Sequence, residues 1–268
     1  MEKTSTATPS RSVTVRAITV LGAFDATHRA LNLSQLARRS GLPLATVHRL
    51  AADLIEGRLL VRRPDGRYEV GARMWQLGLL APPTALRELA LPHLQDLVAG
   101  TGHTVHLAVL DGPSALVIDR LAGSRTLPTR HSPGGHLPLH CTAVGKALLA
   151  WSPADVLEQA CAGMTRHTPY TLTDPRLLRR QLDEVRQTGI ARSAQEHRLG
   201  VSSLAVPVHG HNGVVAALGV LAPLTTPRLT SALAHLRTAS ASASADYMRS
   251  ELDGGVQQAE PPPGEPAP

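Results

Sequence analysis

The stretch from Leu33 to Ala52, LSQLARRSGLPLATVHRLAA, constrains the fold more than any other part of the chain. Counted from Leu33, Ala37 stands at the fifth position, Gly41 at the ninth, Val47 at the fifteenth and Leu50 at the eighteenth. Two helices that cross steeply through a short turn come closest at the middle of the first, where a methyl group fits and a larger side chain would wedge them apart. Gly41 supplies the left-handed backbone that ends the first helix. Val47, Leu50 and Leu54 recur at i, i+3 and i+7, one apolar stripe of a second helix. That stripe leaves Leu44, Ala45, His48, Arg49 and Ala52 facing outward. The bland alternative is two ordinary amphipathic helices joined by a Gly-Leu-Pro turn. A helix-turn-helix fits the spacing better, because its second helix puts such an outward set into the major groove of DNA. Arg49 can then make a bidentate contact to guanine and His48 can reach a base edge or a phosphate. Leu44, Ala45, Thr46, His48 and Arg49 are therefore the expected contacts to double-stranded DNA.

Charge points the same way. Residues 1–80 carry twelve Lys or Arg against six Asp or Glu, whereas the remainder carries fifteen of each, so the whole net charge of +6 sits in the N-terminal third. That asymmetry suits a polyanion-binding module joined to an electrically neutral one, and 268 residues leave room for two modest domains. Residues 1–11 are Ser/Thr-rich and read as a flexible arm from which Arg11 can touch phosphate. From Val13, the residues Val13, Ala17, Val20, Leu21 and Phe24 keep helical spacing, which predicts a first helix packed across the helix-turn-helix. Ser34 is the expected N-cap of the second helix, and Gly57 the stop of the third. LLVRRPDGRYEVG then holds two short β-prone runs around a Pro-Asp-Gly turn at 64–66, a hairpin in the position of a wing. Its Arg62, Arg63 and Arg67 are expected to grip the phosphate backbone or enter the minor groove. A winged helix-turn-helix is thus expected over 12–71.

Residues 72–80, ARMWQLGLL, are too apolar for an exposed linker. Met74, Trp75, Leu77, Leu79 and Leu80 need a partner surface, either the wing domain or a second copy of the chain. A homodimer, or a dimer of dimers, would set two recognition helices one DNA turn apart, about 34 Å, on a palindromic operator. Ala81-Pro82-Pro83 breaks this linker helix (72–84), and Thr84 is the expected cap of a helix ending at Gly100. From Thr104 the pattern becomes strands, TVHLAVL, ALVIDRL, SSLAVPVHG and GVVAALGVLA, with helices near Ala143–Trp151, Pro153–Ala162 and Pro175–Gly189 between them. The expected fold is α+β, a GAF-like antiparallel sheet flanked by helices over 85–252. A last helix is expected from about Pro227 to Leu252, and the low-complexity residues 253–268 are expected to be disordered.

No apolar run approaches the roughly 20 residues of a membrane span, and the first residues lack the apolar segment of a signal peptide, so a cytoplasmic protein with no membrane partner is expected. Cys141 and Cys161 are too few for a disulfide framework. His131, His136 and His140 cluster in sequence at a spacing that suits no standard zinc motif, and whether their loop binds a metal stays open. No Ser/His/Asp order or paired carboxylates stand out, so no catalytic residue, metal ligand or cofactor is assigned. A metal- or thiol-dependent sensor or enzyme is the alternative class.

The block GGHLPLHCTAVGKALLAW at 134–151 is the most specific in the second half. With SRSVTVRAITVLGAF at 10–24, GLPLATVHRL at 41–50, RRPDGRYEVG at 62–71, TGHTVHLAVLDG at 101–112 and EHRLGVSSLAVPV at 196–208, it resembles the isocitrate lyase regulator (IclR) family of bacterial transcription factors. The blocks keep the family's order and span nearly everything except the tails. The resemblance implies a winged helix-turn-helix joined to an effector-binding domain, a regulator rather than an enzyme, with repression the preferred sign. By position it implies an effector pocket lined by Leu137, the Ala143 and Val144 backbone, Ser193, Val201 and Ser203, for a small organic acid or aromatic metabolite. Core packing explains several of these positions equally well. Family members often carry an acid at the position of Ser193 and a cysteine at that of Ser203, so the ligand here can differ. Thr142 is placed to cap a helix whose first turn presents the Ala143 and Val144 N–H groups, where a carboxylate fits. Lys146, the only lysine beyond residue 3, is either an ammonium kept for that place or a surface lysine.

Overall fold

The computed structural model describes residues 12–125, 132–226 and 229–257. Two compact units divide between Ala81 and Pro82. Arg11 and His131 lie outside the described residues.

The first unit runs α1 (Val13–Leu21), β1 (Ala30–Leu31), α2 (Leu33–Ser40), α3 (Leu44–Glu56), β2 (Leu60–Arg62), β3 (Tyr68–Val70) and α4 (Ala72–Leu79). Val20, Leu36, Val47, Leu50, Ala51, Leu54, Leu60 and Tyr68 close one core. The cap of α2 is Asn32, not Ser34. Asn32 Oδ1 accepts from Gln35 N–H and Gln35 Oε1 accepts from Asn32 N–H, both at 2.9 Å. This reciprocal box satisfies two orphan donors at once, so the helix begins at Leu33 and Ser34 falls, exposed, inside its first turn. Gly41 ends α2 at φ +68°, donating to the Ala37 carbonyl. At the end of α3, Gly57 stays right-handed and Arg58 takes the positive φ instead. The wing turn closes where Gly66 N–H donates to Arg63 O at 3.0 Å and Arg63 N–H to Arg67 O at 2.8 Å. β1 adds a third, outer strand to the hairpin in the order β1-β3-β2, which its two residues gave no periodicity to announce.

The second unit opens with α5 (Pro82–Thr101). Pro82 and Pro83 separate it from α4 yet also begin it, since the first turn of a helix does not need their missing N–H groups. Thr84 therefore lies inside the helix and does not cap it. The strands β4 (Thr104–Asp111), β5 (Ser114–Leu121) and β6 (His136–Pro138) precede the helices α6 (Ala143–Leu149), α7 (Ala154–Ala162) and α8 (Pro175–Thr188). Then come β7 (Ala191–Ala194), β8 (Val201–Gly210), β9 (Gly213–Pro223), a short 3-10 turn (Leu229–Ala232) and α9 (Leu233–Gln257). The helix passes the expected end at Leu252, so residues 253–257 are helical rather than part of a disordered tail.

The sheet order is β6-β5-β4-β9-β8-β7, antiparallel throughout. One face packs on α6, α7 and α8, the other on α5 and α9. Alternation along the strands sorts the side chains: Ala108, Ala205 and Ala217 face the first core, while Leu107, Val206, Leu218 and Val220 face the second. Small residues let α6 lie close to the sheet. A methyl group at Gly145 would stand 2.6 Å from the Pro138 carbonyl oxygen and from Leu139 Cα, and one at Gly219 would stand 2.6 Å from Val144 Cγ1. No helix among the described residues is long and apolar enough to cross a membrane.

Candidate effector cavity and nucleic-acid interface

On α3 the apolar stripe of Val47, Leu50, Ala51 and Leu54 is buried, which turns Leu44, Ala45, His48 and Arg49 to solvent and leaves Thr46 half-buried. The wing carries Arg62, Arg63 and Arg67, all exposed. They are not equivalent. Arg63 Nη1 donates to Glu69 Oε1 at 2.7 Å across the hairpin, and this pairing holds its guanidinium above the usual value. Arg62 lies 5.9 Å from the centre of the Tyr68 ring, within reach of a cation–π contact. Glu69 was not anticipated as a partner; it stands two residues beyond Arg67, the residue opposite Arg63, where a long side chain reaches diagonally across the strands.

In the second unit Leu137, Ala143, Val144, Ser193, Val201 and Ser203 line one cavity. It holds about 550 Å³ free of protein atoms, part of it open to solvent. The walls are mainly aliphatic, with polar groups at a few points, the usual composition of a small-molecule site. His106, His197 and Arg198 also line it. Of these, His106 carried a signal in the sequence, an imidazole inside the otherwise apolar run VHLAVL.

Local hydrogen bonds hold the cavity's edge. Thr142 Oγ1 accepts from Gly145 N–H at 3.1 Å and donates to Pro138 O at 2.7 Å, capping α6 as expected. The N–H of Gly145 is thereby satisfied, and Ala143 and Val144, in the first turn of the same helix, line the cavity. Ser193 Oγ donates to Cys141 O at 2.9 Å and faces Ser203 across the β7–β8 pairing.

Lys146 is neither a surface residue nor among the cavity-lining groups. It is buried, and its Nζ donates to Glu196 Oε1 at 2.6 Å, Glu196 Oε2 at 2.7 Å and Arg192 O at 3.2 Å. Burial pulls the ammonium below its ordinary pKa and lifts the carboxyl above its own, and their mutual attraction opposes both shifts. The pair anchors the loop that continues into His197 and Arg198. Thr168 Oγ1 donates to Gln195 O at 2.7 Å and Thr171 Oγ1 to Glu196 O at 2.6 Å, fastening the same loop from the α7–α8 connection.

His136 and His140 go separate ways. His136 Nε2 pairs with Asp111 Oδ2 at 2.7 Å on the surface, whereas His140 is buried and its Nε2 donates to Thr165 O at 3.0 Å. Burial pushes the Cys141 thiol up to about 12, so it stays protonated near neutral pH and has none of the activation of a nucleophilic cysteine.

The model of the bacterial transcriptional regulator IclR C-terminal domain matches residues 82–245, and that of the IclR helix-turn-helix domain matches residues 13–64. The chain belongs to the IclR family. It is 30% identical over 226 residues to the HTH-type transcriptional regulator XynR of Escherichia coli, an alignment covering 83% of this chain and 90% of XynR. It is 31% identical over 208 residues to the glycerol operon regulatory protein of Streptomyces coelicolor, covering 76% of this chain and 82% of that one. Among solved structures, the IclR homologue complexed with 4-hydroxybenzoate from Microbacterium hydrocarbonoxydans superposes with a TM-score of 0.83 at 29% identity, over 89% of this chain and 100% of that one. As an IclR-family member the chain is a transcriptional regulator, with a helix-turn-helix domain for DNA and a C-terminal domain for a small-molecule effector.

Proposed function

We propose that this regulator is a repressor that grips a palindromic operator as a homodimer or a dimer of dimers. Leu44, Ala45, Thr46, His48 and Arg49 of α3 enter the major groove, and Arg62, Arg63 and Arg67 of the wing, with Arg11 of the arm, contact phosphate or the minor groove. A small organic acid or aromatic metabolite occupies the cavity in the second unit and favours a geometry that holds DNA less well. Such control requires that the ligand prefer one of two geometries.

The observation that carries this reading is that Leu137, Ala143, Val144, Ser193, Val201 and Ser203, widely separated in sequence, meet around one cavity. Its aliphatic walls suit a ring, and Arg198, Ser193, Ser203 and the α6 amides suit a carboxylate or hydroxyl. The 4-hydroxybenzoate in the Microbacterium homologue combines both features. The dimer reading rests on the apolar set of α4 and its end: Trp75 is 70% exposed and Leu80 82%, surface that a second copy would cover.

A thermal-shift screen of hydroxybenzoates and short hydroxy acids tests the site. One compound is expected to raise Tm in the parent and not in Ser203→Leu, and full retention in that variant places the site elsewhere. The same compound should lower operator affinity in fluorescence anisotropy. Tighter binding in its presence would reverse the assigned sign.

A further inference from the structure

His140, Cys141 and His167 each bring one potential metal-ligand atom to within 4.8 Å of the others. The first two belong to the segment leading into α6, and the third to the α7–α8 connection. Cys141 and His140 are buried and His167 is exposed. Both histidines line an open cleft, which gives an ion a way in.

Both rings are already oriented by Thr165. His140 Nε2 donates to its carbonyl oxygen at 3.0 Å, and His167 Nε2 lies 3.2 Å from its hydroxyl. A carbonyl only accepts, so neutral His140 carries its proton on Nε2 and its lone pair on Nδ1, the kind of outer contact that fixes a ligating imidazole. A third ring adjoins: His197 Nδ1 is 3.9 Å from Cys141 Sγ, and its ring centre is 4.9 Å from that of His167. Neither the Cys141 thiol nor His167 has a part in DNA or effector binding as described above.

We propose that His140, Cys141 and His167 bind a single zinc-class divalent cation, with solvent completing its shell. Two imidazoles and a thiolate form a borderline-soft set that suits zinc, whereas magnesium and calcium require oxygen ligands. Donors around a tetrahedral zinc stand about 3.5 Å apart, so closure needs a movement of about 1 Å, which the exposed side chain of His167 can supply. As the sulfur–metal bond forms, the Cys141 proton leaves to solvent, and the cation provides the positive charge that a buried thiolate needs. The ion would also stiffen the effector cavity. Cys141 O accepts the Ser193 bond, Thr142 beside it caps α6, and His197 lines the cavity wall.

Cobalt(II) tests this without reference to DNA or effector. The untagged full-length chain, stripped with chelator, should take up a single equivalent of Co²⁺ with a thiolate-to-metal charge-transfer band in the near ultraviolet, and Zn²⁺ should displace it. Cys141→Ser should abolish that band. His167→Ala, at an exposed position, should remain folded by circular dichroism and weaken binding by more than about tenfold, a loss that even outer-contact substitutions can cause. His136→Ala, whose ring pairs with Asp111 outside the cluster, should bind as the parent does. A folded parent that shows no charge-transfer band, or His167→Ala binding cobalt as tightly as the parent, overturns the assignment.

Discussion

At single residues, what a charge does depends on its partner. Arg49 is exposed on α3, so Arg49→Ala should lose about 1–3 kcal/mol of operator affinity at one base position, read by anisotropy against operators altered pair by pair. Equal loss on every sequence would make it a phosphate contact. Arg63 is different because Glu69 already neutralises part of its charge. Glu69→Gln should therefore tighten DNA binding and steepen the log K against log[salt] slope by roughly one; an unchanged slope would mean that Arg63 never reaches phosphate. Within the second unit, Glu196→Leu strands the Lys146 ammonium in the core and should cost about 3–5 kcal/mol in urea unfolding. Lys146→Met combined with Glu196→Leu should recover most of that loss, because no buried charge is then left alone. The rarity of lysine marked position 146 as unusual. Its partner, 50 residues further on, left no mark near it.

Among elements, α6 sits where it does because small residues, its own Gly145 and Gly219 of β9, let it approach. Gly145→Ala drives a methyl group to 2.6 Å from the Pro138 carbonyl oxygen, so the turn before α6 or the helix itself must shift. A loss of about 1–3 kcal/mol is expected, measured from the urea midpoint by circular dichroism, and a midpoint equal to the parent's would show that the helix moves freely. Elements with a full period were legible beforehand: α2 and α3 from their apolar spacing, and β4, β5, β8 and β9 from apolar runs bounded by turns. β1, β6 and β7 were not, since two, three and four residues are too few for alternation to stand out. Caps were misplaced for a related reason. Asn32 and Ser34 are both good cap residues, and Gln35, three places after Asn32, decides between them by closing the reciprocal pair.

For the whole molecule, the apolar surface of α4 is the clearest unfinished contact. Trp75→Ala and Leu80→Ser should weaken self-association in sedimentation equilibrium while leaving the circular dichroism of the chain intact. Parent-like association in both would move the interface elsewhere. The division into a basic N-terminal third and a neutral remainder, the winged helix-turn-helix with its outward-facing α3 set, and the α+β class of the second unit all follow from the sequence. The signals involved are local: the period of a helix or strand, the need for glycine at Gly41, and the sign of nearby charges. The tertiary structure decided which distant groups meet. It set the cavity wall that Ser193 shares with Val144, turned Lys146 inward to Glu196, and brought Cys141 and His140 beside His167. These are contacts of buried polar groups, and a partner is supplied by whichever segment the sheet and helices fold back over them, which no pattern of adjacent residues encodes.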